Sequence, residues 1–206
     1  METSTSVTAI PNNPNTGLLA ALDARRSVPA RQLREPGPDP AQLARMLASA
    51  VRVPDHGRRV PFRFIAIAGD ARQALGEAVA ERGRSLDPQA GAAAWEKDRG
   101  RFGHAPLVVT VVARLDPADD RIPAQERLLS AGCACFALLQ AAQGMGFGAT
   151  WLTGWPAYDP EVQALLGLGP DERIAGFIHI GTPALEAPER ERPDPSALLT
   201  RWTPPA

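Results

Sequence analysis

The chain has 206 residues, 44% of them hydrophobic, with 22 basic against 23 acidic side chains and a formal net charge of -1. That length and apolar content suit one domain with a sizeable core. The charge balance excludes the global basic field that nucleic acid or an anionic membrane requires, so an anion can be recognised here only locally.

Residues 1–15, METSTSVTAIPNNPN, carry neither the basic nor the apolar region of a signal peptide, and their Ser, Thr, Asn and Pro content predicts a loose tail. Residues 16–206 are expected to form one domain. A helix is predicted from Thr16 to about Arg26, with Thr16 as its N-cap and Leu18, Leu19 and Leu22 on one face. EPGPDP then breaks the chain. Asp39 followed by Pro40 marks a capped helix start, and Leu43, Met46, Leu47 and Ala50 follow at helical spacing. VRVPDHGRRVP (51–61) cannot stay helical, because Pro54 and Pro61 restrict their neighbours. FRFIAIAG (62–69) is β-branched and aromatic enough for a core strand, and Asp70 can cap the helix after it. Residues 70–83 and about 88–101 are two amphipathic helices, the second carrying Trp95. PLVVTVVA (106–113) does not alternate, which predicts a strand buried on both faces.

The longest helical pattern runs from about Pro123 to Gln143. Its centre, SAGCACFALLQAA, holds both cysteines, Cys133 and Cys135, which a helix points about 200° apart. They cannot readily pair, and they read as small buried residues in a reducing, cytoplasmic compartment. The small side chains here let another helix approach closely, either within one subunit or across a homodimer. GMGFG stops this helix and ATWLT is a short strand. Asp159 and Pro160 start another capped helix ending at Gly167, RIAGFIHIG is a fourth strand, and the Pro-rich tail holds one short helix near 194–200. The order is mixed α and β with helices in excess. No stretch approaches the ~18 apolar residues of a membrane span.

Arg25, Arg26 and Ser27 fall where the first helix stops. They are either a solvated helix end, whose cations offset the dipole, or a clamp in which two guanidiniums and a hydroxyl surround a phosphate. Lys97 is the single lysine, so nearly all the basic charge is the group best shaped for phosphate, although a GC-rich genome gives the same bias. His56, Arg58 and Arg59 sit on a loop just before a core strand, a common place for binding residues and equally for surface charge. GMGFGATWLT is a plain turn or a backbone stretch that approaches a flat ligand. It is not a dinucleotide fingerprint, because it follows a helix and precedes a strand. The chain contains no G-x-S-x-G, H-E-x-x-H or P-loop, and of its three histidines (His56, His104, His179) the last lies in a predicted strand as a core residue. An enzyme with this inventory leaves the chemistry to a bound cofactor.

ARRSVPARQL, VRVPDHGRRVPFRFIAI, HAPLVVTVVA, QERLLSAGCACFALLQAAQGMGFGATWLTG and IAGFIHIGTP, in that order, resemble the nitroreductase family of FMN oxidoreductases over about residues 18–196. The likeness is greatest to its small, minimal-length NAD(P)H nitroreductases. It implies an α+β fold, a central mostly antiparallel sheet flanked by helices, assembled as a homodimer with FMN at the interface. Arg25 and Arg26 would hold the phosphate and ribityl region with Ser27 beside them, His56 would contact the same cofactor, and Trp151, Leu152 and Thr153 would lie against it, donated across the dimer interface. No metal and no catalytic side chain is implied. NAD(P)H would pass hydride to the flavin and leave, and a nitroaromatic or quinone would then accept the electrons. Two positions depart from the family: Val60 stands where a glutamine commonly reads the flavin's pyrimidine edge, and Leu152 where arginine is frequent. Both changes remove polar contacts, for which Arg58, Arg59 or Arg192 could substitute. They also define an alternative, a homologue that binds flavin or another nucleotide with weak or no catalysis.

Overall fold

In a computed structural model, which describes residues 13–205, five strands form one sheet: β1 (Leu33–Arg34), β2 (Phe62–Ala68), β3 (Leu107–Arg114), β4 (Gly148–Leu152) and β5 (Glu172–Pro183). Every pairing is antiparallel. The order is β1-β5-β3-β2, with β4 also paired to β5, so β5 is the central strand. β3 is buried from Leu107 to Ala113, as the lack of alternation in its sequence predicts. Up to residue 12 the expected loose tail lies outside the described residues.

The two faces of the sheet carry separate helical layers. On one, α2 (Pro40–Ala50) and α5 (Ala124–Gly144) place Met46, Ala50, Ala134, Cys135 and Leu138 against Val109, Val111, Ile178 and Ile180. On the other, Leu75 and Val79 of α3 (Asp70–Leu86), Phe102 after α4 (Ala92–Gly100) and Val162 of α6 (Pro160–Leu165) pack on Ile67, Val108 and Phe177. Helices α3 and α4 approach closely because Gly76 and Gly83 face Arg99 and Asp98, and a Cβ at Gly76 would collide with the Arg99 carbonyl. Two further helices, α1 (Thr16–Asp23) and α7 (Pro195–Leu198), bury no residue.

Local chemistry sets the helix ends. Asp39 and Gln42 form a complete capping box on α2, and Asp159 accepts from the backbone N–H of Glu161 and Val162 to start α6. Four expectations need correction. Asn15, not Thr16, caps α1, its side chain accepting from Leu18 N. The helix stops at Asp23, short of Arg26. Asp70 is the first residue of α3 rather than its cap, because Gly69, with φ 56°, takes that position. Cys133 is exposed while Cys135 is buried, since residues two apart leave a helix on different faces. Burial pushes the Cys135 thiol up to about 12, which keeps it inert.

Candidate functional site

With α1 ending at Asp23, the Arg25-Arg26-Ser27 triplet lies in the irregular turn that follows it. That segment is pinned to the core: Val28 N donates to Ala149 O of β4 (3.1 Å), and Gln143 Nε2 of α5 donates to Arg26 O (2.7 Å). Arg26 Nη1 turns back to Asp23 O (2.7 Å), and Arg25 Nη1 donates to Ser27 Oγ (3.2 Å). A strap from the C-terminal segment crosses the triplet. Arg192 Nη2 donates to Arg25 O (3.4 Å), while the Glu189 carboxylate is ion-paired with Arg26 and with Arg192 (2.9 Å) and accepts from Arg190 N (2.9 Å).

Arginines 25, 26, 190 and 192 are thus gathered around a single carboxylate. Partial burial, and then the Arg192, Arg190 and Arg26 charges, hold the Arg25 pKa below the ordinary arginine value. Among the described residues Arg25 has no carboxylate within ion-pair reach; its side-chain partner is a hydroxyl. Excess guanidinium charge beside a hydroxyl is the donor set a phosphate dianion needs, so these residues fit the phosphate of FMN.

His56 and Val60 belong to a second group. The backbone from Gly57 to Val60 is left-handed at three residues: Gly57 (φ 67°), Arg58 (φ 53°) and Val60 (φ 49°). For a β-branched residue this is strained. The Asp55 carboxylate keeps the turn closed by accepting from Arg59 N and Val60 N (2.9 Å each), and Ser130 Oγ of α5 donates to Pro54 O (2.8 Å). His56 Nδ1 is 2.7 Å from Glu126 Oε2 at the start of α5, and Arg59 is paired with Asp119 (2.8 Å). Of the cations weighed as substitutes for Val60 and Leu152, Arg59 and Arg192 are each tied to a carboxylate, Asp119 and Glu189, and Arg192 stands at the triplet.

The third group is Trp151, Leu152 and Thr153. Trp151 Nε1 donates to Ala175 O (3.1 Å), and the indole lies on Gly176, where any Cβ would strike the ring. Trp151 and Leu152 remain partly exposed at the end of β4, and Thr153 follows in the turn to Gly154. The ring also reaches Gly132, near the middle of α5.

Helix α5 therefore serves as a ruler. Gln143 touches the arginine triplet, Gly132 faces Trp151, and Glu126 holds His56. Glu126 and Gln143 are seventeen residues apart, about 25 Å at a rise of about 1.5 Å per residue. One chain does not bring His56 and Val60 to Arg25, Arg26 and Ser27. Between the two ends, α5 exposes Leu128, Leu129, Cys133 and Phe136, and α1 exposes Leu18, Leu19 and Leu22. Apolar faces of this kind mark interaction surfaces.

A cavity of about 370 Å³ lined by Trp95, Asp98, Arg101 and Trp155 lies with α3 and α4 on the other side of the sheet, and none of the expected site residues lines it. No group of three or more His, Cys, Asp or Glu able to hold a metal occurs among the described residues, and no helix among them is long and apolar enough to cross a membrane. Glu189 and Arg190 were not legible as site residues. They sit in a charged, Pro-rich tail that only the fold returns to residue 25.

The sequence profile described as "Nitroreductase family" matches residues 22–182. An Escherichia coli (strain K12) protein named "Putative NAD(P)H nitroreductase YdjA" is 36% identical over 183 residues, covering 88% of this chain and 97% of that protein. Among solved structures, a nitroreductase-like family protein from Bacillus cereus superposes with a TM-score of 0.77 at 24% identity, covering 94% of this chain and 98% of that one. A Desulfovibrio desulfuricans protein named "putative nitroreductase", solved in complex with FMN, gives 0.68 at 22% identity over 94% and 100% of the two chains.

Proposed function

The chain belongs to the nitroreductase family, and from that premise we propose that it is an FMN-dependent NAD(P)H oxidoreductase acting on nitroaromatic or quinone acceptors as a homodimer. The observation that carries this reading is the Arg25 cluster, whose surplus of guanidinium over carboxylate calls for a dianion at the C-terminal end of α5. Bound there, FMN would supply the hydride chemistry that links NAD(P)H to the acceptor in a ping-pong cycle.

The protein's own part is to bind, orient and enclose. Arg25, Arg26 and Ser27 hold the phosphate end, with Arg192 reinforcing the turn through Arg25 O. Trp151, Leu152 and Thr153 end β4 on the same apolar side as the exposed α5 stripe, and they present a wall of ring, aliphatic chain and backbone to a flat ligand. Two α5 helices packed antiparallel about a two-fold axis would bury Leu129, Cys133 and Phe136. The same packing would carry His56 and Val60 of the partner subunit to the end of α5 that bears Arg25. The length of α5 that separates the two groups within one chain, about 25 Å between Glu126 and Gln143 at its helical rise, is thereby bridged. No side chain in this arrangement need act as nucleophile or general base.

Absorbance of the purified protein tests the reading. Yellow protein that bleaches with NADH or NADPH and recolours when a quinone or nitroaromatic is added supports it. Yellow protein that never bleaches favours a binding homologue, the outcome to which Val60 and Leu152 point. Protein that takes up no added FMN refutes it.

A further inference from the structure

The cluster around Arg25 contains one acid, and its position is specific. Glu189 reaches Arg26 with one oxygen and Arg192 with the other, the latter through both Nε (3.1 Å) and Nη2 (2.9 Å), while Arg190 N donates to the same carboxylate. A carboxylate that collects two guanidiniums and a backbone N–H satisfies the donors a phosphate would otherwise satisfy. The Arg190 N–H, then Arg192 and Arg26, hold the Glu189 pKa below the usual glutamate range, so it is ionised wherever the phosphate is dianionic.

We propose that Glu189 is a resident anion at the phosphate site, a carboxylate that keeps Arg26 and Arg192 paired and that the entering phosphate must displace. The proposal rests on the reading of Arg25, Arg26 and Ser27 as the phosphate cradle, and it adds a residue that opposes binding there. Two consequences follow from one charge. Without Glu189, four neighbouring guanidiniums repel one another and the protein is less stable in phosphate-free buffer. Without Glu189, a phosphate also gains Arg26 with nothing to dislodge. Stability and affinity therefore move in opposite directions, which loss of an ordinary structural contact does not produce. The strap is exposed, so a modest effect is expected, about fivefold in affinity, as for a partly solvated ion pair.

The test compares the full-length protein, Glu189→Gln and Glu189→Asp for binding of FMN, riboflavin and inorganic phosphate, with thermal unfolding in phosphate-free buffer. Glu189→Gln is expected to bind FMN and inorganic phosphate about fivefold more tightly, to leave riboflavin affinity unchanged and to unfold at a lower temperature without phosphate. Glu189→Asp, one methylene shorter with its charge kept, should fall between the two and serves if Glu189→Gln does not fold. If the unsubstituted protein binds FMN but the variants bind FMN and phosphate no more tightly, Glu189 is not a resident anion and the cofactor reading stands. If no protein binds FMN while the variants still gain affinity for phosphate, the cofactor reading fails and the resident anion survives. Equal weakening toward FMN and riboflavin assigns Glu189 a structural role and overturns the proposal.

Discussion

His179 is the clearest place to test the physical account of the fold. It lies on the central strand β5 with no exposure, paired across the ladder with Val108 and Thr150 and stacked on Phe102 at 6.2 Å between ring centroids. Neither ring nitrogen has a hydrogen-bond partner. Burial, and then the charges of His104 and Arg101, push its pKa down to about 4 from the ordinary value of 6.5. The sign follows from which state takes the proton first. Above pH 6.5 both folded and unfolded chains carry a neutral imidazole; as pH falls toward 4 only the unfolded chain protonates, so stability is lost across that window. At about 1.4 kcal/mol per pH unit, the loss is about 2 kcal/mol by pH 5 and about 3 kcal/mol once the pH is well below 4. His179→Leu removes the titration while filling a similar volume, and it also removes two buried polar atoms that lack partners. Urea unfolding of both proteins from pH 4.5 to 8, at one protein concentration with FMN in fixed excess, should show the variant at least as stable at pH 7.5. Its advantage should widen by about 2 kcal/mol at pH 5. His104, whose own pKa is held down by burial and by Arg31 and Arg34, is present in both proteins and enters the difference only through its charge on His179. Parallel stability curves would refute the argument.

Two further outcomes bear on the site. Phe136→Asp sets a charge in the exposed apolar stripe of α5 and should convert a dimer into monomers by sedimentation, with release of flavin; a variant that stays dimeric and yellow rules this face out as the interface. Val60→Gln replaces a β-branched residue in a left-handed backbone and, under the proposed arrangement, supplies an amide to the flavin edge, so FMN affinity should rise about two- to tenfold with no loss of thermal stability, and unchanged affinity by fluorescence titration would place residue 60 away from the ring.

The layered fold was largely legible in the sequence, because its signals are local. Asp39, Pro40 and Gln42 announce α2 by hydrogen bonding within one turn, and the unalternating LVVTVVA run can be stable only as a strand covered on both faces. β1 escaped because two residues carry no period, and its partners Thr182 and Pro183 are nearly 150 positions away. Residue type alone places Cys133 and Cys135 together, whereas the helix directs one to the core and the other outward. Part of the candidate site, as proposed, draws on the same local logic. Arg25, Arg26 and Ser27 are adjacent and chemically matched to phosphate, but what surrounds them is long-range. Arg192 reaches Arg25 across 167 positions, and Glu189 beside it reads in sequence as one more solvated acid of the tail. The Glu126 carboxylate beside His56 went unnoticed for the same reason, being 70 residues distant.

The spacing along α5 has a genetic corollary under the proposed dimer. Each pocket draws its anion-binding half from one polypeptide and its imidazole half from the other. A mixture of chains crippled at Arg25 with chains crippled at His56 would then yield hybrid pairs in which one pocket inherits both defects and the other inherits neither. Two inactive alleles could complement each other.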